Sequence, residues 1–300
     1  MNHTEETMTR KSPLHLLDIM IAIGVLISSG VGVFYHTLRF DKVAENVYGD
    51  AVPLFGRGIY AFESAFQGPI FVGTDIVMLC LAVVFVILRW RIRHRMLNDL
   101  IHIGFLTIFL YYSASLAFST MMNPLFIVYM ATFALVLFHL IHQLLGFNTE
   151  PLEVLLKQHK LPKGLRPFLI IMALSVSVWL LEIGVLMVDG RPSTLIGMKT
   201  TEPTYIFDLA LIAPTCFLAA IGLKKHRPFS LVLATMMLSL LAAIGSIVIA
   251  QNLTQSYFGI TIEPIELILF VLIFTVLSGV AIYYLVRLYH SILKLNVTID

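Results

Sequence analysis

The sequence is poor in charge: only 13% of its 300 residues are Asp, Glu, Lys or Arg, against about 25% in ordinary soluble domains. Hydrophobic residues make up 58% of the chain and the mean hydropathy is +0.90. A water-soluble fold has too little interior to hide that much apolar surface, so the solvent for most of the chain is lipid. Cysteine is scarce too. Cys80 and Cys216 each lie in an apolar run, which excludes a disulfide framework and reads as two small buried hydrophobes. A net charge of +2, spread along the chain, argues against nucleic acid as a partner. Catalytic signatures are missing as well: the chain has no His-Glu-x-x-His, Gly-x-Ser-x-Gly, Walker loop or Cys-x-x-Cys. No cofactor-binding motif is present, and none is expected.

Long apolar runs are what the sequence does have. A bilayer core of about 30 Å requires roughly 20 apolar helical residues, because lipid offers the backbone no hydrogen bonds. Eight segments meet that condition: Leu14–Tyr35, Thr74–Trp90, Asn98–Ser119, Met122–Leu145, Pro167–Val188, Thr204–Leu223, Pro228–Ala250 and Pro264–His290. Pro124, Pro167, Pro228 and Pro264 stand at or near four of the starts, where a missing amide hydrogen does no harm. The expected fold class is all-α, a polytopic bundle of about eight spans. Its single transmembrane domain covers residues 14–291, with a large loop over 36–73 and short polar tails at 1–13 and 292–300. The first segment reads as a retained helix, since its apolar stretch from Ile19 to Phe34 exceeds a signal core and no Ala-x-Ala site follows; cleavage near Ser28–Gly30 would leave seven spans. No internal repeat joins the two halves.

Lysine and arginine set the expected orientation, because they resist translocation. With the amino terminus inside, the outer side keeps only Arg39, Lys42, Arg57, Arg191 and Lys199 of the 20. Both termini are therefore expected in the cytoplasm and the chain in the plasma membrane. "LRWRIRHR", Leu88 to Arg95, then reads as a topology anchor.

An ionisable residue in a transmembrane helix costs roughly 2.5–3.5 kcal/mol at the centre, so each needs a partner or water. By depth, Asp75, Glu182, Asp208 and Glu266 fall in the outer third, with Tyr111, Tyr112 and Asn123 at the same level. None of the four acids has a Lys or Arg at that depth on its own helix. Arg57, between Gly56 and Gly58, is the expected counter-charge: the glycines let the loop fold tightly, and Phe55, Ile59, Tyr60 and Phe62 insert into the interface. The competing reading is an arginine meeting lipid phosphates. On the inner side stand His102, His139 and His142, the last two sharing a helix face, with Asp18 and Asp99 in the same region. They are weak candidates for a metal or haem site, and the preferred reading is no metal, with histidines bonding across helices.

"NVYGDAVPLFGRGIY" (Asn46–Tyr60), "GTDIV" (Gly73–Val77), "YYSASLAF" (Tyr111–Phe118), "NPLFIVYMATFAL" (Asn123–Leu135) and "DLALIAP" (Asp208–Pro214) together resemble a family of uncharacterised bacterial multi-pass membrane proteins. The resemblance implies architecture and a bacterial envelope location, and carries no activity. It singles out Gly56, Arg57, Gly58, Tyr60, Asp75, Tyr112, Asn123, Pro124, Asp208 and Pro214; the three histidines are not in its pattern. The chain departs from it in "MMLSLLAAIGS" (Met236–Ser246), where the family pattern has a lysine.

The expected partners are the lipid bilayer and a small molecule or ion held in an outward-facing polar pocket by Arg57, Asp75, Tyr112, Asn123, Glu182 and Asp208. A non-catalytic sensor or assembly component whose charges lock the bundle is the alternative, and an intramembrane enzyme using the same carboxylates is the third reading.

Overall fold

A computed structural model describes residues 16–35, 39–158, 161–261, 264 and 267–294. Among them are nine helices: α1 (Leu16–Phe34), α2 (Gln67–Arg91), α3 (Arg95–Ser119), α4 (Phe126–Leu145), the short α5 (Glu150–Lys157), α6 (Leu165–Asp189), α7 (Pro203–Lys224), α8 (Phe229–Tyr257) and α9 (Ile273–Leu293). All except α5 are long and apolar enough to cross a membrane. The tails read as 1–13 and 292–300 lie outside the described residues, apart from 292–294, and so does Glu266. The sequence does not signal an antiparallel hairpin of β1 (Val43–Glu45) and β2 (Ala51–Pro53).

Several boundaries move: α4 starts at Phe126, not Met122, and α8 runs on past Ala250 to Tyr257. Helix α2 starts at Gln67, not Thr74, so the loop before it ends near residue 66 and the Gly-Thr-Asp stretch is helical. The last span begins with a π-helical turn, Leu267–Leu272, ahead of α9. Its apolar run covers both, so hydropathy alone does not separate them.

Helices α3 and α8 form the centre: 72% and 61% of their most apolar windows are buried, against 22–44% for the other six spans. Helix α8 packs on α2, α3, α7 and α9; α1 packs on α2 and α4, and α4 on α3; α6 packs on α7. Small residues permit the close approaches. A Cβ at Gly32 of α1 would collide with the Asp75 carboxylate of α2. The lipid-facing surfaces carry large apolar side chains such as Phe138, Leu181, Val188 and Leu218. Cys216 is buried as expected, whereas Cys80 is exposed on α2.

The short connections between α2 and α3 and between α7 and α8 gather Arg89, Arg91, Arg93, Arg95, Lys224, Lys225 and Arg227 at one end of the bundle, here called the basic end. The opposite, loop end carries two longer segments that are tied together. Asn46 closes the β1–β2 turn by accepting from the amides of Tyr48 and Asp50, both at 2.9 Å, and its amide group donates to Gly197 O at 3.0 Å. Arg191 donates to Tyr48 O at 2.6 Å and pairs with Asp50 at 2.9 Å. Gln67, at the head of α2, donates to Leu195 O at 3.0 Å.

Two helices are interrupted where the site forms. Pro214 lacks the amide hydrogen that would bond back to residue 210, and its ring crowds that carbonyl. The turn ahead of it widens into a π-helix, Phe207–Ile212, in which the Ala213 amide reaches Asp208 O, five residues back. In α6, a 3-10 turn at Val176–Val178 precedes Trp179, just after Ser175 donates its hydroxyl to Met172 O at 2.8 Å. Both breaks rotate the following residues relative to a regular helix.

Candidate functional site

At the loop end, Asp75 is fully buried and answered by two phenols. Tyr60 donates to Oδ2 and Tyr112 to Oδ1, each at 2.6 Å. Tyr60 comes from the single 3-10 turn after Arg57 and stacks on Phe71, with ring centroids 5.1 Å apart. Gly32 leaves the space that the carboxylate fills.

Arg57 takes no part, which corrects the expectation that it neutralises these acids. Its side chain is exposed and lies over the Phe258 ring at 5.3 Å; among the described residues it forms no ion pair. The flanking glycines do have the anticipated role. Gly56 and Gly58 have φ of +67° and +62°, and a Cβ on either would strike a backbone carbonyl, of Phe40 or Tyr35. They thread the loop tightly while Arg57 itself, extended between them, points outward.

The cation at this level is Lys199, in the segment before α7. Its ammonium donates to Ser119 Oγ at 2.7 Å and Glu202 Oε2 at 3.0 Å, and sits 5.4 Å from the Phe71 ring centre. Glu202 caps α7 with its other oxygen, accepting from the Thr204 amide at 3.3 Å and from the Thr204 hydroxyl at 2.8 Å. The sequence held a signal for this: Lys-x-x-Glu directly before Pro203 is a helix start with an i,i+3 ion pair. Glu63, missed in the sequence, is buried beneath the same loop and accepts from the Met121 amide. Burial lifts its carboxyl to about 7, against the opposing pull of the Met121 amide and Lys199.

Asp208 sits on the π-helical turn, 6% exposed. It accepts from the Trp179 indole at 2.7 Å and from the Tyr111 hydroxyl at 3.1 Å. Trp179 stacks on Tyr205 with centroids 4.8 Å apart. Asp208, Trp179, Tyr205, Lys199 and Glu202 all line a cavity of about 330 Å³ between α2, α3, α6, α7 and α8. Its remaining wall is largely apolar, with Met78, Ile108, Leu116, Met172, Leu240 and Phe274, and Gln251 and Gln255 of α8 add amides. Tyr112 joins the two arrangements: its ring lines the cavity and its hydroxyl serves Asp75.

Glu182 is not with them. It faces a second cavity of about 250 Å³ lined by Tyr48, Thr200 and Tyr205, and its Oε2 is buried without a hydrogen-bond partner among the described residues. Asn123 has a local role: its carbonyl accepts from the Leu125 amide at 2.9 Å and shapes the turn that starts α4. Of the six residues expected in one pocket, then, Tyr112 and Asp208 line the main cavity and Asp75 lies directly behind it.

At the basic end, Asp18, Arg89, His102 and His139 meet in a site with no more than 3% exposure at any of them. Arg89 Nη2 is 3.1 Å from Asp18 Oδ2, while His102 Nε2 and His139 Nε2 stand 2.7 and 3.0 Å from Oδ1. Arg89 also donates to Asn98 Oδ1 at 2.7 Å, and Asn98 in turn to Ile92 O at 3.2 Å. Two expectations are corrected here. His142 is exposed and outside the group, its place taken by Asp18; and Arg89, read as part of a topology anchor, is a buried ion-pair partner. Helices α1, α2 and α3 contribute to both ends, α1 with Asp18 and Gly32, α2 with Arg89 and Asp75, α3 with His102 and Tyr112, while α4 adds His139 at the basic end. Compared with protein-family models, with curated proteins and with solved structures, the chain matches none.

Proposed function

We propose that this is a multi-pass plasma-membrane protein that binds, and in binding senses or moves, a small molecule with an apolar body and a cationic head. The observation that carries the reading is the cavity of about 330 Å³ into which Asp208 is held by Trp179 and Tyr111. Its volume is at the low end for small-molecule sites, which are typically apolar with a few converging polar groups. The charge sign follows from the lining. Lys199 is already matched by Glu202, so Asp208 is the uncompensated acid, and the stacked Trp179 and Tyr205 rings beside it suit an ammonium group.

The distribution of Lys and Arg supports an orientation with the basic end in the cytoplasm, so the loop end faces out. Two of the motif positions shared with the bacterial family that the sequence resembles, Tyr112 and Asp208, line this cavity, which supports an envelope role.

The test is thermal stability of the purified protein in detergent against a series of small aralkyl amines and the alcohols of the same shape. The amines are expected to raise the melting temperature of the wild type and to lose that effect in Asp208→Asn, with the alcohols inactive in both. Equal shifts from amine and alcohol, or shifts unchanged in Asp208→Asn, would overturn the reading. In that case the buried charges serve to lock the bundle, the second reading, which the fully satisfied Asp75 site favours.

A further inference from the structure

The basic-end cluster has a geometry that interhelical locking does not explain. His102 Nε2 is 2.7 Å from Asp18 Oδ1, a good hydrogen-bond distance, yet it lies off the hydrogen-bond axis, and neither ring nitrogen of His102 has a hydrogen-bond partner among the described residues. Leaving a buried polar nitrogen unsatisfied is costly, because the water it gives up is not replaced. The His102 ring packs against Phe85, with centroids 5.9 Å apart, and against His139, at 5.0 Å. His139 Nε2 approaches the same oxygen from α4. The three ligand atoms lie within 4.8 Å of one another, each from a different helix.

From this convergence we infer that Asp18, His102 and His139 form a binding site for a first-row divalent transition metal such as zinc. Two imidazoles and one carboxylate are a donor set for Zn²⁺ or Fe²⁺, with an open position for water. A nitrogen that ligates a metal aims beside the carboxylate, not at its oxygen, which accounts for the off-axis approach of His102; His139 Nε2 is hydrogen-bonded to Oδ1 at 3.0 Å and turns from it to coordinate. At metal–ligand distances of about 2.0–2.1 Å, neighbouring ligand atoms of a tetrahedron sit roughly 3.4 Å apart. The observed 2.7 and 3.0 Å separations reach that with small side-chain rotations. Arg89 and Asn98 supply the supporting shell: Arg89 holds Oδ2 and leaves Oδ1 to the metal. Because Arg89 already balances Asp18, a divalent ion leaves the site positive, so the open position favours hydroxide over neutral water. Asp18 is the third residue of α1, so an ion has only about one helical turn to travel from the helix ends.

The experiment uses the full chain, purified without a histidine tag, stripped with chelator, dialysed against zinc or cobalt(II) and measured by elemental analysis. About one metal per chain is expected for the wild type, falling at least tenfold in His102→Ala and His139→Ala and unchanged in His142→Ala, the exposed neighbour. The cobalt form should show the strong visible absorption of a four-coordinate site. If the histidine variants do not fold, X-ray absorption of the zinc-loaded wild type decides: two imidazoles in the first shell support the site. A folded wild type that holds no stoichiometric metal, or loses as much in His142→Ala as in His139→Ala, overturns it.

Discussion

Helices α1 to α4 bury one aspartate at each end, and answer the two in different ways. Asp18 meets a guanidinium and two imidazoles; Asp75 meets two phenols and no cation. A charge partner delivers the larger electrostatic stabilisation, but it also makes each member dependent on the other, because removing one leaves an unpaired ion in a medium of low dielectric. Neutral donors give less per bond and tolerate loss better, since a phenol can be replaced by a ring of nearly the same shape. The basic end therefore behaves as a closed unit, while the loop end can be shared: Tyr112 serves Asp75 with its hydroxyl and the cavity with its ring.

Breaking the charge-matched end should have the largest effect. Arg89→Met is expected to destabilise the protein by about 3–5 kcal/mol, and Arg89→Met combined with Asp18→Asn by less than the sum of the two, because the double variant strands no ion. Melting temperatures of the three variants in one detergent check this; additive losses would remove the distinction between the two ends. At the phenol end, Tyr112→Phe should cost about 1.5–3 kcal/mol, the range for a hydrogen bond to a charged group, with the bundle still folded by circular dichroism.

Glu63 sharpens the comparison as an acid with no strong cation contact. Its carboxyl is raised to about 7 from an ordinary 4.5, so the folded state holds a proton that the unfolded state has lost across that window. Stability from this group is accordingly greatest below 4.5 and declines as pH rises through about 7. Glu63→Gln should remove the decline, the wild type being less stable than the variant by up to about 3 kcal/mol above neutrality; parallel melting curves of the two from pH 5 to 8 are the check. Arg57→Ala is expected to be the mildest, within about 1 kcal/mol, since it loses only an exposed cation–π contact.

The contrast between Arg57 and Arg89 shows where the sequence stops being informative. Eight apolar runs, their prolines and the depth of each polar residue are one-dimensional features, and they led to the eight spans, to Asp75 beside Tyr112 and to Asp208 near an interface. Which side chains meet depends on how each helix is rotated about its axis, and hydropathy carries little of that. His139 and His142 are three residues apart, hence separated by roughly 60° around α4. That is enough to bury one and expose the other on a helix whose apolar window is only 28% buried. Arg57 is the loop cation with the most unusual neighbours, and on sequence alone that pairs it with the acids. Its glycines in fact serve the backbone, and the less conspicuous Lys199 is placed by the Glu202 cap. The π-turn at Asp208 is legible in principle from Pro214, two residues beyond its end; the 3-10 break that presents Trp179 is not, since no proline or glycine marks it.

The most direct test of the account is the fluorescence of Trp179 in a Trp90→Phe background, which leaves a single indole, the one bonded to Asp208. Titration with a small aralkyl amine should give a saturable change in that emission, absent with the matching alcohol and absent in Asp208→Asn. An emission that does not saturate with amine, or that responds identically when Asp208 is Asn, would contradict the claim that this cavity is a cation-selective binding site.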